Sequence, residues 1–179
     1  MPSNQLLRLL LAGLSLLVSG CTGVPDGLKP VENFDLPRYL GKWYEIARLD
    51  HSFERGLVDV SATYSLREDG GVDVLNRGFD VKKGQWSEAK GRAYFLETPQ
   101  IASLKVSFFG PFYAGYHVIS LDHQAYRYAL VSGPTREYLW ILARDKQLPP
   151  ALLDALVSQA RQAGFATGNL IYTAQTRQE

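Results

Sequence analysis

Between residues 41 and 144 the chain repeats one pattern eight times: a short run whose apolar residues fall at every second position, closed by residues that turn the backbone. In one of these runs Val58, Val60, Ala62, Tyr64 and Leu66 share a face and Asp59, Ser61, Thr63 and Ser65 take the other. It ends in Glu68-Asp69-Gly70-Gly71, a hairpin turn by composition. The next run covers residues 72–80. Residues 85–96 alternate the small Ala89, Gly91 and Ala93 with larger side chains, which marks a face where space is tight or a ligand approaches. Leu104, Val106 and Phe108 carry another run, broken by Gly110-Pro111, and residues 113–121, 126–132 and 138–144 supply three more.

Eight short strands in tight succession, with no strand-helix-strand alternation, predict an antiparallel meander, and a meander that long removes its edges most simply by closing. The expected fold is all-β: an eight-stranded antiparallel up-and-down β-barrel. After residue 148 the period changes. Pro149-Pro150 opens a segment in which Leu152, Leu153, Leu156, Val157, Ala160 and Ala163 recur at helical spacing, and Gly164 stands where a helix would end. One C-terminal helix is therefore expected outside the barrel, followed by a short final strand near residues 170–173 that pairs with the first. The 179 residues suit one domain with a sizeable core. A net charge of +1 disfavours a phosphate-seeking surface, so nucleic acid is not expected as a partner.

The N-terminus reads differently. Arg8, an apolar run over residues 9–18, and Ser19-Gly20 have the charge, hydrophobic stretch and small-residue exit of a secretion signal, and the run is too short to span a bilayer comfortably. Val18-Ser19-Gly20-Cys21 resembles a bacterial lipobox, in which the cysteine becomes the acylated first residue. Residues 1–20 are then a lipoprotein signal peptide, and residues 21–32 a lipidated end and flexible tether rich in Gly and Pro. The domain is expected over residues 33–175. Thr22 follows the cysteine in place of an inner-membrane retention aspartate, so the resemblance points to the outer membrane, with the domain facing the periplasm. Cys21 is the sole cysteine, which leaves no disulfide within the domain.

The segment Gly41-Lys42-Trp43-Tyr44-Glu45 opens the first strand, and a glycine two residues before an indole suggests close backbone approach beside a core plug. Together with Asn33-Phe34-Asp35, Phe53-Glu54-Arg55-Gly56-Leu57, residues 105–113 and Tyr138-Leu139-Trp140-Ile141-Leu142, it makes the chain resemble the lipocalin family, and within it the lipid-anchored bacterial members. The resemblance implies that Arg144, at the end of the eighth strand, lies across Trp43 and closes one end of the barrel, with Gly41 completing the closure. The family turn between the sixth and seventh strands is represented by Leu121-Asp122-His123, where the aspartate alone is retained. Bacterial members also leave a homodimer open, on which the face patterns are silent.

Counting faces upward from Arg144 and Trp43 puts Tyr138, Trp140 and Leu142 inside the barrel. The same count gives Ala47, Val60, Ala62, Tyr64, Val74, Leu104, Val106, Phe108, Tyr116 and Val118 as cavity residues, while residues 126–132 do not reveal their face. Phe53, Arg55 and Tyr113 are candidates for the mouth. The resemblance implies a binder of fatty acids or lysophospholipids, without cofactor or metal, stored or carried for membrane maintenance. Haem or another small hydrophobic ligand, with His117 or His51 as axial ligand, is the alternative. Catalysis is not expected: once Cys21 is acylated no cysteine remains as nucleophile, and no catalytic spacing frames His51, His117 and His123.

Overall fold

In the computed structural model, which describes residues 22–177, each of the first seven strands pairs antiparallel with the one that follows it. The order is a short helix α1 (Leu36–Tyr39), then β1 (Gly41–Arg48), β2 (Leu57–Leu66), β3 (Val72–Asp80), β4 (Gln85–Phe95), β5 (Ser103–Phe109), β6 (Phe112–Leu121), β7 (Tyr128–Ser132) and β8 (Leu139–Ala143). After these come α2 (Pro150–Gln162), a 3₁₀ turn (Thr167–Asn169) and β9 (Ile171–Tyr172). β1 pairs with both β2 and β8, which closes the eight strands into the expected barrel. β9 pairs with the upper half of β1, where β2 has splayed away. The expected signal peptide and Cys21 lie outside the described residues.

Two hydrophobic clusters follow from the alternation. Inside the barrel, Trp43, Tyr64, Val74, Leu104, Val118, Val131 and Leu142 form the core. Outside, Ile46, Ala47, Leu130, Leu139 and Ile141 meet Leu156 and Ala160 of α2. Because β7 sends Ala129 and Val131 inward and Leu130 outward, both of its faces are apolar, and that is why alternation could not orient it. Pro149-Pro150 starts α2, and Gly164, at φ 88°, ends it with the Phe165 amide donating to the Ala160 carbonyl.

Four register shifts interrupt the ladders, at β1–β8, β2–β3, β5–β6 and β6–β7, and those in β1 and β2 alter the inner face expected from alternation. In β1, Glu45 pairs with Leu142 and Ala47 with Ile141, so Ile46 is the extra residue, and Ile46 and Ala47 both turn toward α2. Ala47 is therefore not a cavity residue, and Arg48, opposite Trp140, points inward in its place. In β2 the pairing slips between Val58 and Ser61, with Asp59 at φ 51°, so Val58 leaves the face it shares by parity with Ala62 and Tyr64.

Residues 22–32 are not a loose tether. The Val31 amide donates to the Val118 carbonyl, Arg136 donates to the Asp26 carbonyl, and Pro25 is buried. The segment lies along β6 and the base of α2, held by backbone bonds that a Gly/Pro composition does not announce.

Candidate ligand-binding site

The closed end is built from α1 and the first turn of β1. Trp43 is fully buried and its indole N–H donates to the Tyr39 carbonyl at 2.8 Å. The Arg144 guanidinium lies 4.0 Å from the indole centroid and donates to the carbonyls of Tyr126, Lys42, Arg38 and Leu40 at 2.8 to 3.2 Å. A flat cation with donors in its plane can stack on a ring while bonding sideways, which an ammonium cannot do. Gly41 takes φ 92°, and a Cβ there would stand 3.5 Å from Arg144 Nη1. The glycine is thus required by its backbone conformation, beneath a side chain where close backbone approach was expected. Asp122 accepts from the amides of Gln124, Ala125 and Arg127, so in this structure the retained aspartate holds its own turn together.

Above this floor the wall is apolar. Ala62, Val106, Phe108, Tyr116 and Trp140 face the barrel axis yet are only partly buried, whereas Val60, Tyr64, Val74, Leu104 and Val118 are covered. A Cβ on Gly91 would come within 2.8 Å of Phe108 Cδ1, so the small residue in β4 makes room for that ring. The polar atoms here form one chain of phenols: Tyr39 and Tyr64 each hydrogen-bond Tyr116, at 2.7 and 2.9 Å. Burial pushes the hydroxyls of Tyr39 and Tyr116 well above the ordinary tyrosine range and that of Tyr64 to about 12, so all three stay neutral donors.

Nearer the mouth stands a charged tier that alternation did not reveal. Arg48, 2% exposed, donates to Glu45 at 2.5 Å and to the carbonyls of Glu54 and Leu57. Glu45 also accepts from the Thr173 hydroxyl, brought in by the chain after β9. Glu54 accepts from the Trp140 indole at 3.1 Å, and His51 Nε2 lies 3.1 Å from it, off the line of a hydrogen bond. One guanidinium serves two carboxyls, so the pair is balanced when one carboxyl keeps its proton. Burial, reinforced by Glu54, pushes Glu45 up to about 8, against the opposing pull of Arg48 and Thr173. Burial pushes Glu54 up as well, but contact with His51 and the bond from Trp140 carry it below the usual range. The sequence signal was a pair of opposite charges, Glu45 and Arg48, flanking the apolar Ile46-Ala47.

A carboxyl raised from 4.5 to about 8 in the folded state gives stability that is complete below the lower value and lost as pH rises through the higher one. Thermal unfolding should therefore shift to lower temperature between about pH 5 and about pH 8, and Glu45→Gln should flatten that slope. An unchanged slope in the variant would remove Glu45 as its source.

At the mouth, Phe53 stacks on His51 at 3.9 Å between centroids, and Tyr138 and Trp140 extend the stack. Arg55 is exposed and paired with Asp50, and Tyr113 lies beneath the Lys105 ammonium on the β5–β6 side. His117 is outside the barrel, so it cannot ligate a group held in the interior. Its Nε2 donates to the Gly23 carbonyl at 3.0 Å, which leaves Nδ1 to accept from the Ser103 hydroxyl at 2.9 Å. Burial lowers its pKa, and both partners of this Ser–His pair are covered by the N-terminal segment. No group of three or more metal-ligating side chains occurs among the described residues.

Two grooves of about 280 and 430 Å³ on the outer wall are lined largely by charged residues such as Arg67, Asp73 and Arg92, chemistry unsuited to an acyl chain.

A family model described as a lipocalin-like domain matches residues 34–175. The outer membrane lipoprotein Blc of Vibrio cholerae is 53% identical over 161 residues, covering 90% of this chain and 94% of the relative. The protein of the same name from Escherichia coli K12 is 50% identical over 166 residues, covering 92% and 93%. Mouse apolipoprotein D is 37% identical over 134 residues, covering 70% and 68%. Among solved structures, insecticyanin from the tobacco hornworm superposes with a TM-score of 0.69 at 20% identity, over 87% of this chain and 88% of that one, which speaks to the fold alone.

Proposed function

Because this chain belongs to the lipocalin family, we propose that it is a lipid-anchored carrier that holds one single-chain lipid, a fatty acid or lysophospholipid, in its barrel at the outer membrane. The observation that carries the reading is the incompletely covered apolar wall of Ala62, Val106, Phe108, Tyr116 and Trp140, between a sealed floor and the β1–β2 loop that folds over the mouth. Each methylene moved from water onto such a wall contributes about 0.8 kcal/mol, so about a dozen give roughly 10 kcal/mol before ordering is subtracted. The acyl chain runs inward, and the head group stops at the charged tier. Arg48 Nε and both ring nitrogens of His51 are buried there without a hydrogen-bond partner, and a carboxylate or phosphate oxygen could accept from Arg48 Nε and from a ring N–H of His51. Relatives of the same length bear the name outer membrane lipoprotein, which supports acylation at Cys21 after removal of residues 1–20.

The test is a titration with lysophospholipid followed by tryptophan fluorescence. Saturation is expected at one lipid per chain, with a Kd of about 1 μM or tighter. Trp140→Ala, which strips one side of the wall, should weaken binding roughly tenfold or more. A flat titration of the folded protein would rule the reading out.

A further inference from the structure

The exposed apolar residues are unevenly placed. Successive loops of an up-and-down barrel alternate between its ends, so the β1–β2, β3–β4 and β5–β6 connections share the end away from α1. Those three connections carry Phe53, Val81, Phe109 and Phe112, which are 60, 57, 80 and 79% exposed. Lys82 and Lys83 follow Val81 in the β3–β4 turn and are exposed. The opposite end offers Leu66 and Leu96 among Arg67, Glu68, Asp69, Asp73 and Glu97. Exposed apolar side chains at loop tips, with lysines beside Val81, suit the boundary between acyl chains and anionic head groups.

The path of the N-terminal segment supplies the second, independent observation. His117 pins the Gly23 carbonyl, and a Cβ on Gly115 would stand 3.0 Å from the Thr22 carbonyl oxygen. Gly115 is three residues along β6 from Phe112 at the hairpin tip, a distance of about 10 Å. Thr22 therefore lies beside β6 nearer the Phe112 tip, while the other end of β6, at Leu121, is about 30 Å from that tip.

We propose that the rim itself lies on the bilayer that holds the anchor, with Phe53, Val81, Phe109 and Phe112 seated at its interface, so that a single-chain lipid passes between membrane and barrel without crossing water. This rests on the carrier reading for its purpose and on acylation of Cys21 for its geometry. The bilayer is the occupant of the rim, and a second copy of the chain is the competing one.

Acylation of Cys21 leaves any introduced cysteine as the sole thiol, so the full acylated chain can be labelled at single sites with a polarity-sensitive fluorophore. Phe112→Cys and Phe109→Cys report on the rim, and Glu68→Cys reports on the far end. In vesicles of phosphatidylethanolamine and phosphatidylglycerol, the rim labels should shift to the blue and resist iodide quenching several-fold better than the Glu68→Cys label. Equal quenching at both ends, or protection at Glu68→Cys, overturns the proposal. So does rim protection that vanishes when the protein is diluted over more lipid, which would assign the rim to a second copy. Failure of the full chain to float with vesicles overturns it through the anchor. The lysophospholipid titration, run on the same labelled proteins, separates the two ideas: binding lost with the rim protected removes the carrier reading alone, and binding retained with the rim exposed removes the docking alone.

Discussion

Trp43→Ala is expected to destabilise the domain by about 4 kcal/mol, since emptying a fully buried tryptophan site costs roughly 3 to 5 kcal/mol. For a domain of this size that is a fall in Tm of about 10 °C. The loss has three parts. The indole fills the floor among Tyr39, Tyr64 and Leu142, donates to the Tyr39 carbonyl, and is the surface on which Arg144 lies. Trp43→Phe keeps most of the volume and should lose about half as much, through the missing N–H donor and the thinner ring under the guanidinium. Urea unfolding of both variants, read by far-UV circular dichroism, checks the order. In Arg144→Ala and the double variant, the two losses should fail to add, because the stacking is removed by either change. Additive losses would mean that the contact contributes nothing beyond its two parts.

Arg48→Met is the second large effect, expected at about 3 to 5 kcal/mol, the range for leaving a buried charge without its partner. Arg48 is joined to Glu45 and to two carbonyls of the loop that folds over the mouth, so its removal strands Glu54 as a buried anion and frees that loop. Adding Glu54→Gln to Arg48→Met removes the stranded charge and should restore most of the loss. If the double variant is as unstable as the single one, the loss comes from the packing of the Arg48 stem. The same loop carries Phe53 and His51, so hydrogen exchange there should quicken in Arg48→Met and recover only in part in the double variant.

The barrel, the outer helix and the last strand were legible because their signals are periodic: apolar residues two apart in the strands, then three and four apart after Pro149-Pro150. The floor was legible through resemblance, and Trp43 and Arg144 meet as it implied. What periodicity could not show was where the period breaks. Ile46 and Ala47 are both apolar, so the extra residue in β1 leaves no mark in hydrophobicity, yet it turns Ala47 out and Arg48 in. The bulge at Asp59 is equally silent, because Val58 and Val60 are alike in character while facing opposite ways. The N-terminal segment was misread for a different reason. Its Gly and Pro content describes a chain with few bonds of its own, and the bonds that hold it come from His117, Arg136 and Val118, which lie far away in sequence.

Three tryptophans stand at depths that report whether an acyl chain enters the barrel. Trp43 is at the floor, Trp140 is beneath the mouth, and Trp86 is on the outer wall under Arg77. A lysophospholipid brominated along its chain quenches only the indoles it approaches. Saturable quenching is expected at one lipid per chain, largely lost in Trp140→Phe and unchanged in Trp86→Phe. Quenching that never saturates, or that resides in Trp86, would place the lipid outside the barrel and contradict the carrier reading.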